Sequence, residues 1–304
     1  MSEETKKITI TINDRELKAD PGETVLQVAH RSGINIPHLC YLKDINEIAA
    51  CRLCVAEVEV NGRRMRGLPA TCVLKVEDGM VVRTNTKAVR KAVRCNLELI
   101  LANHDMNCPT CVRNGTCELQ KLARERGVED VRFDGAKRTV TIDELSPSIV
   151  RDSSKCILCG RCVSTCEKIQ GLGVLAFTNR GFDTEVGPAF DFSMRDVNCI
   201  YCGQCIEACP VAALRERRYI DDVWDAIDDP DKVVVVQTAP AVRASLGEEF
   251  GYPIRTPVTG KMTAALRHIG FDYVFDTNFA ADLTISEEAT ELLHRITTGG
   301  VLPM

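Results

Sequence analysis

The sequence predicts an α+β protein made of several small modules in a row, and three observations carry that prediction. A strand-like alternation opens the chain. Sixteen cysteines among 304 residues fall into spaced groups that end at Cys209. The cysteine-free stretch after them alternates strand-like and helix-like segments, which implies an α/β portion. The expected modules cover residues 1–80, 81–145, 146–220 and 221–304.

The elements follow in order. Ile8, Ile10 and Ile12 alternate with Thr9 and Thr11, the pattern of a half-buried strand. Thr24 can cap a short helix carrying Val25, Val28 and Ala29, and Gly33 can end it. Alternation returns over 55–60, and Asn61-Gly62 is a hairpin turn signal. Together these read as a small β-grasp module. Helix-like runs cover 87–103 and 118–126, the second ended by Gly127. Ser146-Pro147-Ser148 opens the third module. Beyond Tyr219 the spacing predicts a strand over 233–236, a helix over 241–250, a second helix capped by Thr259, a strand at Val274-Phe275, and a last helix capped by Ser286 and running through Leu293 and Ile296. The chain is expected to stop mid-domain at Pro303-Met304.

Composition excludes several classes. Lys plus Arg number 38 against 43 Asp plus Glu, a net charge of −5, which argues against nucleic-acid binding. No apolar run approaches the roughly 20 residues that span a bilayer. Met1-Ser2-Glu3-Glu4-Thr5-Lys6-Lys7 has no apolar core of a secretory signal. A hydrophobic content of 45% argues against disorder.

The cysteine spacing favours metal over disulfides, which belong mostly to short exported chains. Cys199, Cys202, Cys205 and Cys209 form the run C-I-Y-C-G-Q-C-I-E-A-C-P, and Cys156, Cys159, Cys162 and Cys166 form C-I-L-C-G-R-C-V-S-T-C-E. Each matches the bacterial ferredoxin run for a 4Fe–4S cluster, the second with Glu167 in place of Pro. In paired runs the fourth Cys ligates the other cluster. That assigns Cys156, Cys159, Cys162 and Cys209 to one cluster, and Cys199, Cys202, Cys205 and Cys166 to the other. Gly160 and Gly203 let the loop backbone wrap closely. Two intact runs are not the paired knuckles of a zinc ribbon.

Cys40, Cys51, Cys54 and Cys72 form an earlier group around C-R-L-C. In β-grasp surroundings it reads as a 2Fe–2S site, with structural zinc as the competing reading. Cys108, Cys111 and Cys117 are three thiols short of a fourth ligand for a 4Fe–4S cluster, and His104, four residues before the first, supplies it. A neutral imidazole in place of a thiolate makes a cluster less negative and favours its reduction. Cys95, inside the helix-like run, reads as a small buried hydrophobe. His38 reads as loop packing, and His268 and His294 sit on helices without a partner motif. Gly260-Lys261 has the ending of a P-loop, but Arg255 and Met262 break the motif, so nucleotide binding is rejected there.

The first 220 or so residues resemble the large iron–sulfur subunit of respiratory complex I, a module order shared with NAD-linked formate dehydrogenases and iron-only hydrogenases. The tail Q-T-A-P-A-V-R-A-S-L-G-E-E-F-G, followed by V-T-G-K-M-T-A-A-L-R-H-I-G-F-D-Y-V-F-D-T-N-F-A-A-D-L-T-I-S-E-E-A-T-E-L, resembles the opening of the iron-only hydrogenase catalytic domain. The resemblance implies a truncated start of that domain over 221–304, with Ala239-Pro240-Ala241 lining one side of its pocket. It implies a hydrogenase of which this chain is the electron-relay part. No cysteine follows Cys209, so the active-site hydrogenase cluster lies outside these residues. Among such hydrogenases the most similar type is the NAD(P)-linked, electron-bifurcating one. That implies a partner subunit binding FMN, NAD(H) and iron–sulfur clusters, a small thioredoxin-like 2Fe–2S subunit, and ferredoxin, all cytoplasmic and anaerobic. A single-subunit ferredoxin-linked hydrogenase and a non-catalytic iron–sulfur subunit of an NAD-linked dehydrogenase share the module order. A formate dehydrogenase subunit should continue into a molybdopterin domain, which the A-P-A-V-R tail disfavours.

Overall fold

The structure, a computed structural model, describes residues 7–302. Residues 1–6, most of the stretch that argues against a secretory signal, and the closing Pro303-Met304 lie outside the described residues. The chain divides into one unit reaching to Arg217 and a second from Arg218.

The first unit opens with a five-stranded mixed sheet. Its strands are β1 (Ile8–Ile12), β2 (Arg15–Ala19), β3 (Glu57–Val60), β4 (Arg63–Arg64) and β5 (Met80–Arg83), in the order β2-β1-β5-β3-β4. β1 runs parallel to β5, with Ile10 opposite Met80; the other pairings are antiparallel. Asn13-Asp14 and Asn61-Gly62 take left-handed backbone (φ 48°, 63°, 50° and 75°), so both hairpins turn with the strand twist. α1 (Val25–Arg31) starts as expected at Thr24. The Thr24 hydroxyl accepts from Gln27 N–H at 3.2 Å and the Gln27 side chain accepts from Thr24 N–H at 2.8 Å, so two orphan donors of the first turn are satisfied reciprocally. Val25, Leu26, Val28 and Ala29 of α1 close over Ile10, Ile12, Val58, Met80 and Val82.

α2 (Lys87–Ala102) is capped by Thr86, whose hydroxyl accepts from Val89 N–H at 3.2 Å. Its stripe of Val89, Val93, Leu97 and Leu101 enters a second core, with Leu119 of α3 (Glu118–Glu125) and Ile149. Glu98 is also buried on α2, held by Arg132 at 2.6 Å and Arg94 at 3.1 Å; these guanidinium groups keep its carboxyl below the usual range. Cys95 is half-buried rather than in the core. Its register on α2 falls between the apolar stripe and solvent, and neighbouring Leu99 is 48% exposed.

The rest of the unit holds an antiparallel sheet of β6 (Ile142–Asp143), β7 (Ile149–Asp152) and β10 (Leu214–Glu216), ordered β10-β7-β6. Between β7 and β10 come α4 (Arg161–Ser164), the hairpin of β8 (Ala176–Thr178) and β9 (Glu185–Gly187), and α5 (Gln204–Ala208).

The second unit contains α6 (Ile220–Ile227), β11 (Val235–Thr238), α7 (Pro240–Glu249), α8 (Thr259–Ile269), β12 (Tyr273–Asp276) and α9 (Thr277–Thr298). β11 and β12 are parallel, as strand–helix alternation requires. Three local expectations are corrected. The first strand lies two residues later than 233–236. Thr259 is the first residue of α8, not its cap; Val258 precedes it and no side chain caps that end. Ser286 lies inside α9 and donates to the Asp282 carbonyl at 3.0 Å. β12 leads straight into α9, with the Asp276 carboxylate accepting from Asn278 N–H at 3.0 Å, so no loop remains for Ser286 to cap. Among the described residues no helix is long and apolar enough to cross a membrane.

Candidate metal centres

The first cysteine group lies in the irregular segments between α1 and β5. Cys40, Cys54 and Cys72 are fully buried and Cys51 nearly so. Left-handed backbone at Ala49 (φ 53°) and Arg52 (φ 52°) curls the loop so that Cys51 and Cys54 point back toward Cys40. Thr71 clamps the far side: its N–H and hydroxyl both donate to the Cys54 carbonyl at 2.8 Å, which brings Cys72 against Cys54. From α2, Asn96 donates to the Arg52 carbonyl at 2.7 Å. The four thiols touch in a chain: Cys40 meets Cys51 and Cys72, and Cys54 meets Cys72. Hydrogen bonds from Cys51 and Cys72 hold the Cys40 thiol far down, to about 2, while Cys72 holds Cys54 down to about 7. The same contacts and burial push Cys51 and Cys72 upward. Four buried thiols thus share their protons, and they can all ionise only around a cationic core.

The two ferredoxin runs repeat one backbone. Leu158 and Tyr201, each two residues into its run, both have φ 53°, and Gly160 and Gly203 follow at φ 76° and 75°. The left-handed pairs reverse the backbone after the first two thiols of each run, and the third, Cys162 or Cys205, sits in the first turn of α4 or α5. Cys166 stands in a π-helical turn over Thr165–Ile169, and its carbonyl accepts from Leu172 N–H at 3.0 Å. Cys156, Cys159, Cys162 and Cys209 line one cavity with Ile157, Val186, Val211, Ala213 and Leu214. Burial pushes the Cys159 thiol to about 12, raises Cys156, and pushes Cys162 well up. Around Cys205 the neighbouring thiols are Cys199, Cys202 and Cys166; burial first, then those neighbours, take it to about 12. Each cross-paired set expected from the sequence is therefore drawn together. The second set is the more open, since Cys202 is exposed.

The third group is shallower. Cys108, Cys111 and Cys117 are all half-buried. Burial, then the nearness of Cys111 and Cys108, raises the Cys117 thiol, whose sulfur also receives Gln120 N–H at 3.5 Å as the cap of α3. His104 is buried just after α2, with Nδ1 lacking a hydrogen-bond partner. Burial and the adjacent Lys155 ammonium lower its pKa to about 4, so the ring is neutral at neutral pH and free to act as a ligand. The charges nearest the ring are Lys155, Asp105 and Asp152.

Among the described residues no three His, Cys, Asp or Glu side chains form a single-ion site. The donor set suits iron–sulfur cages: three groups of four thiols and one of three, apolar walls, one orphaned imidazole nitrogen, and backbone N–H groups aimed at sulfur, as from Leu39 to Cys51 and Leu158 to Cys156, both at 3.4 Å. Several supporting residues carry no signature in the sequence. Arg138 donates to the Cys156 carbonyl at 2.6 Å. Arg113 donates to the Ile206 carbonyl at 3.0 Å and the Cys209 carbonyl at 3.4 Å. Arg161 forms a two-pronged pair with Glu118, at 2.7 and 3.0 Å. In the second unit, Ala239-Pro240-Ala241 stands where β11 turns into α7, at the carboxyl end of a parallel strand. All three residues are exposed, and Arg243 of α7 pairs with Asp276 at 2.7 Å. No cysteine lies in that unit.

Four family models match the chain in sequence order. They are a 2Fe-2S iron-sulfur cluster binding domain over 5–87, the NADH-ubiquinone oxidoreductase-G iron-sulfur binding region over 94–132, a 4Fe-4S dicluster domain over 155–213, and the C-terminal domain of the iron only hydrogenase large subunit over 232–304. The NADP-reducing hydrogenase subunit HndD of Solidesulfovibrio fructosivorans is 48% identical over 294 residues, covering 95% of this chain and 50% of that protein. Iron hydrogenase 1 of Clostridium pasteurianum is 41% identical over 298 residues, covering 97% of this chain and 51% of that one. The chain spans about half the length of these curated relatives. Among solved structures, a chain of an NAD+-reducing NiFe hydrogenase in the H2-reduced state superposes with a TM-score of 0.63 at 31% identity, covering 69% of this chain and 87% of that chain. The chain belongs to the family of iron–sulfur subunits that runs through hydrogenases and complex I, and over residues 232–304 it matches the C-terminal domain of the iron only hydrogenase large subunit.

Proposed function

We propose that this chain is the electron-relay part of an iron-only hydrogenase subunit. In this reading a β-grasp module holds one 2Fe–2S cluster through Cys40, Cys51, Cys54 and Cys72. A helical module holds a 4Fe–4S cluster through His104, Cys108, Cys111 and Cys117. A two-cluster module holds two more 4Fe–4S clusters with crossed fourth ligands. When bound, each cluster accepts and releases one electron with little rearrangement. The protein keeps the sites close together, excludes water and tunes them through N–H···S hydrogen bonds.

One observation carries the reading. A single buried core contains cysteines of three groups, Cys40 and Cys51, Cys159, Cys162 and Cys166, and Cys205 and Cys209, and Cys117 of the fourth group packs against it. Sites strung through one dry core suit a wire better than isolated structural metals do. The relatives, described as NADP-reducing and NAD+-reducing hydrogenases, support a partner protein that handles NAD(P)(H); the reading adds FMN and iron–sulfur clusters in that partner and ferredoxin as a second carrier. The reading extends to a thioredoxin-like 2Fe–2S subunit, electron bifurcation and a cytoplasmic, anaerobic setting. The hydrogen-activating cluster lies beyond these residues, next to Ala239-Pro240-Ala241.

Anaerobic reconstitution tests the relay: about 14 Fe per chain is expected, with one 2Fe–2S and three 4Fe–4S signals by EPR. A colourless protein carrying zinc instead would sink it. Co-purification of a flavoprotein with this chain separates the NAD(P)-linked reading from a single-subunit, ferredoxin-linked hydrogenase.

A further inference from the structure

Asn46 is fully buried in a tight turn, where Leu42 and Asn46 pair through their backbones. Its side-chain amide donates to two carbonyls at once: that of Cys40 at 2.6 Å and that of Cys159 at 3.0 Å. These two cysteines lie in different modules, 6 and 113 residues away in the chain. The Asn46 side-chain oxygen accepts from the Ser164 hydroxyl at 2.7 Å, which fixes which end of the amide faces the carbonyls. Lys168 adds a bond to the neighbouring Ile45 carbonyl at 2.7 Å. Gly160 makes room for the turn: a Cβ there would stand 2.8 Å from Ile48 Cδ1 and 3.4 Å from the Asn46 side-chain oxygen.

We infer that Asn46 is the positioning residue that couples the 2Fe–2S site of Cys40 to the 4Fe–4S site of Cys159. The inference rests on the cluster assignment proposed above. A buried amide with both ends satisfied is a rigid spacer, because letting go of either carbonyl would leave a desolvated donor or acceptor unpaired. It joins the backbones of two ligand cysteines by two hydrogen bonds from one side-chain nitrogen. When the two sites exchange charge, one is oxidised by one electron and the other reduced by one, with no proton moved and no bond made. Separation, connecting path, potential and reorganisation energy are then the quantities the protein can set, and Asn46 acts on the first two.

The test uses the full-length subunit, reconstituted anaerobically, as wild type and as Asn46→Leu, Ser164→Ala and Ser164→Thr. Iron content and the separate EPR signals report loading. Power saturation of the dithionite-reduced 2Fe–2S signal reports its magnetic contact with the neighbouring centre, a readout that hydrogenase activity does not enter. Asn46→Leu should keep the iron content while the 2Fe–2S signal saturates at severalfold lower power. Ser164→Ala, which frees the amide to rotate, should shift saturation the same way by a smaller factor, and Ser164→Thr should restore it. Should Asn46→Leu fail to load, the Ser164 pair decides. Wild-type saturation in a fully loaded Asn46→Leu, or in Ser164→Ala, overturns the inference. A wild-type protein lacking either signal overturns the cluster assignment itself, which is a separate result.

Discussion

The two units solve opposite packing problems. In the first, helices and sheets close over two cores, and even polar Asn46, Thr71 and Glu98 are sealed inside with partners. In the second, Val258 and Met262 are the only buried hydrophobic residues among those described, while Phe250, Ile254, Ile285 and Leu293 are all more than 60% exposed. A parallel strand pair normally has both faces covered, yet Val235 and Tyr273 of β11 and β12 are more than half exposed. The contrast teaches where stability resides. Among the described residues the cysteine-bearing unit buries most of its apolar side chains, whereas the second is a strand–helix frame whose large apolar side chains are mostly exposed.

The strongest challenge to that comparison is to separate the units. A chain ending at Arg217 should keep its melting transition and all of its iron. A chain of residues 218–304 should show helical circular dichroism but no cooperative unfolding, because burial rather than helix propensity supplies most of the stability of such elements. A sharp melt from the second fragment would break the comparison.

The same truncation placed in each unit sharpens it. Leu97, 1% exposed on α2, should lose about 2–5 kcal/mol on Leu97→Ala, through lost burial and the cavity left behind. Leu293, 63% exposed on α9, should change by no more than about 0.5 kcal/mol on Leu293→Ala. Denaturant melts of the full chain followed by a probe in each unit would read both.

Legibility in the sequence followed the same divide. Thr24 announced a helix start that the structure reproduces, because its capping partner, Gln27, is only three residues on. The paired cysteine runs were legible because the spacing itself dictates which thiols a tight loop can turn inward. Ser286 misled, since a serine before two glutamates looks like a cap whether or not a helix is already under way. Strand boundaries in the second unit drifted because Val233, Val234, Val235 and Val236 are equally strand-like, and only pairing with β12 selects among them. Asn46 was invisible for a deeper reason. Its role depends on Cys159 and Ser164, 113 and 118 residues away, and no local pattern encodes that meeting.

Ion pairs offer a smaller contrast. Arg151 and Glu185 meet at 2.6 Å with side chains only 11% and 17% exposed. Glu185→Gln leaves a desolvated guanidinium without its counter-charge and should cost about 3 kcal/mol. Arg295 and Glu291 pair on the surface of α9, where Glu291 is 52% exposed. Glu291→Gln should cost about 0–1 kcal/mol and vanish in high salt.

The smallest contrast is in pH. Burial pushes the Asp143 carboxyl up, but Met194 N–H at 2.7 Å, the Ser193 hydroxyl at 2.8 Å and Leu145 N–H at 3.2 Å outweigh it and hold the group below its ordinary range. Its folded pKa is therefore lower than its unfolded one. The stability it contributes is complete above about pH 4 and is lost as the pH falls through the folded value. Asp229, beside Lys232 at 2.9 Å, is lowered too, but the pair is exposed and screened. The melting temperature of Asp143→Asn should lie below wild type at neutral pH, and the gap should narrow steadily on acidification below about pH 4. Asp229→Asn should track wild type throughout. A gap at Asp143 that stayed constant to low pH would mean that its hydrogen bonds, not its charge, supply the stabilisation, and the sealed interior of the first unit would then owe nothing to ionisation at that site.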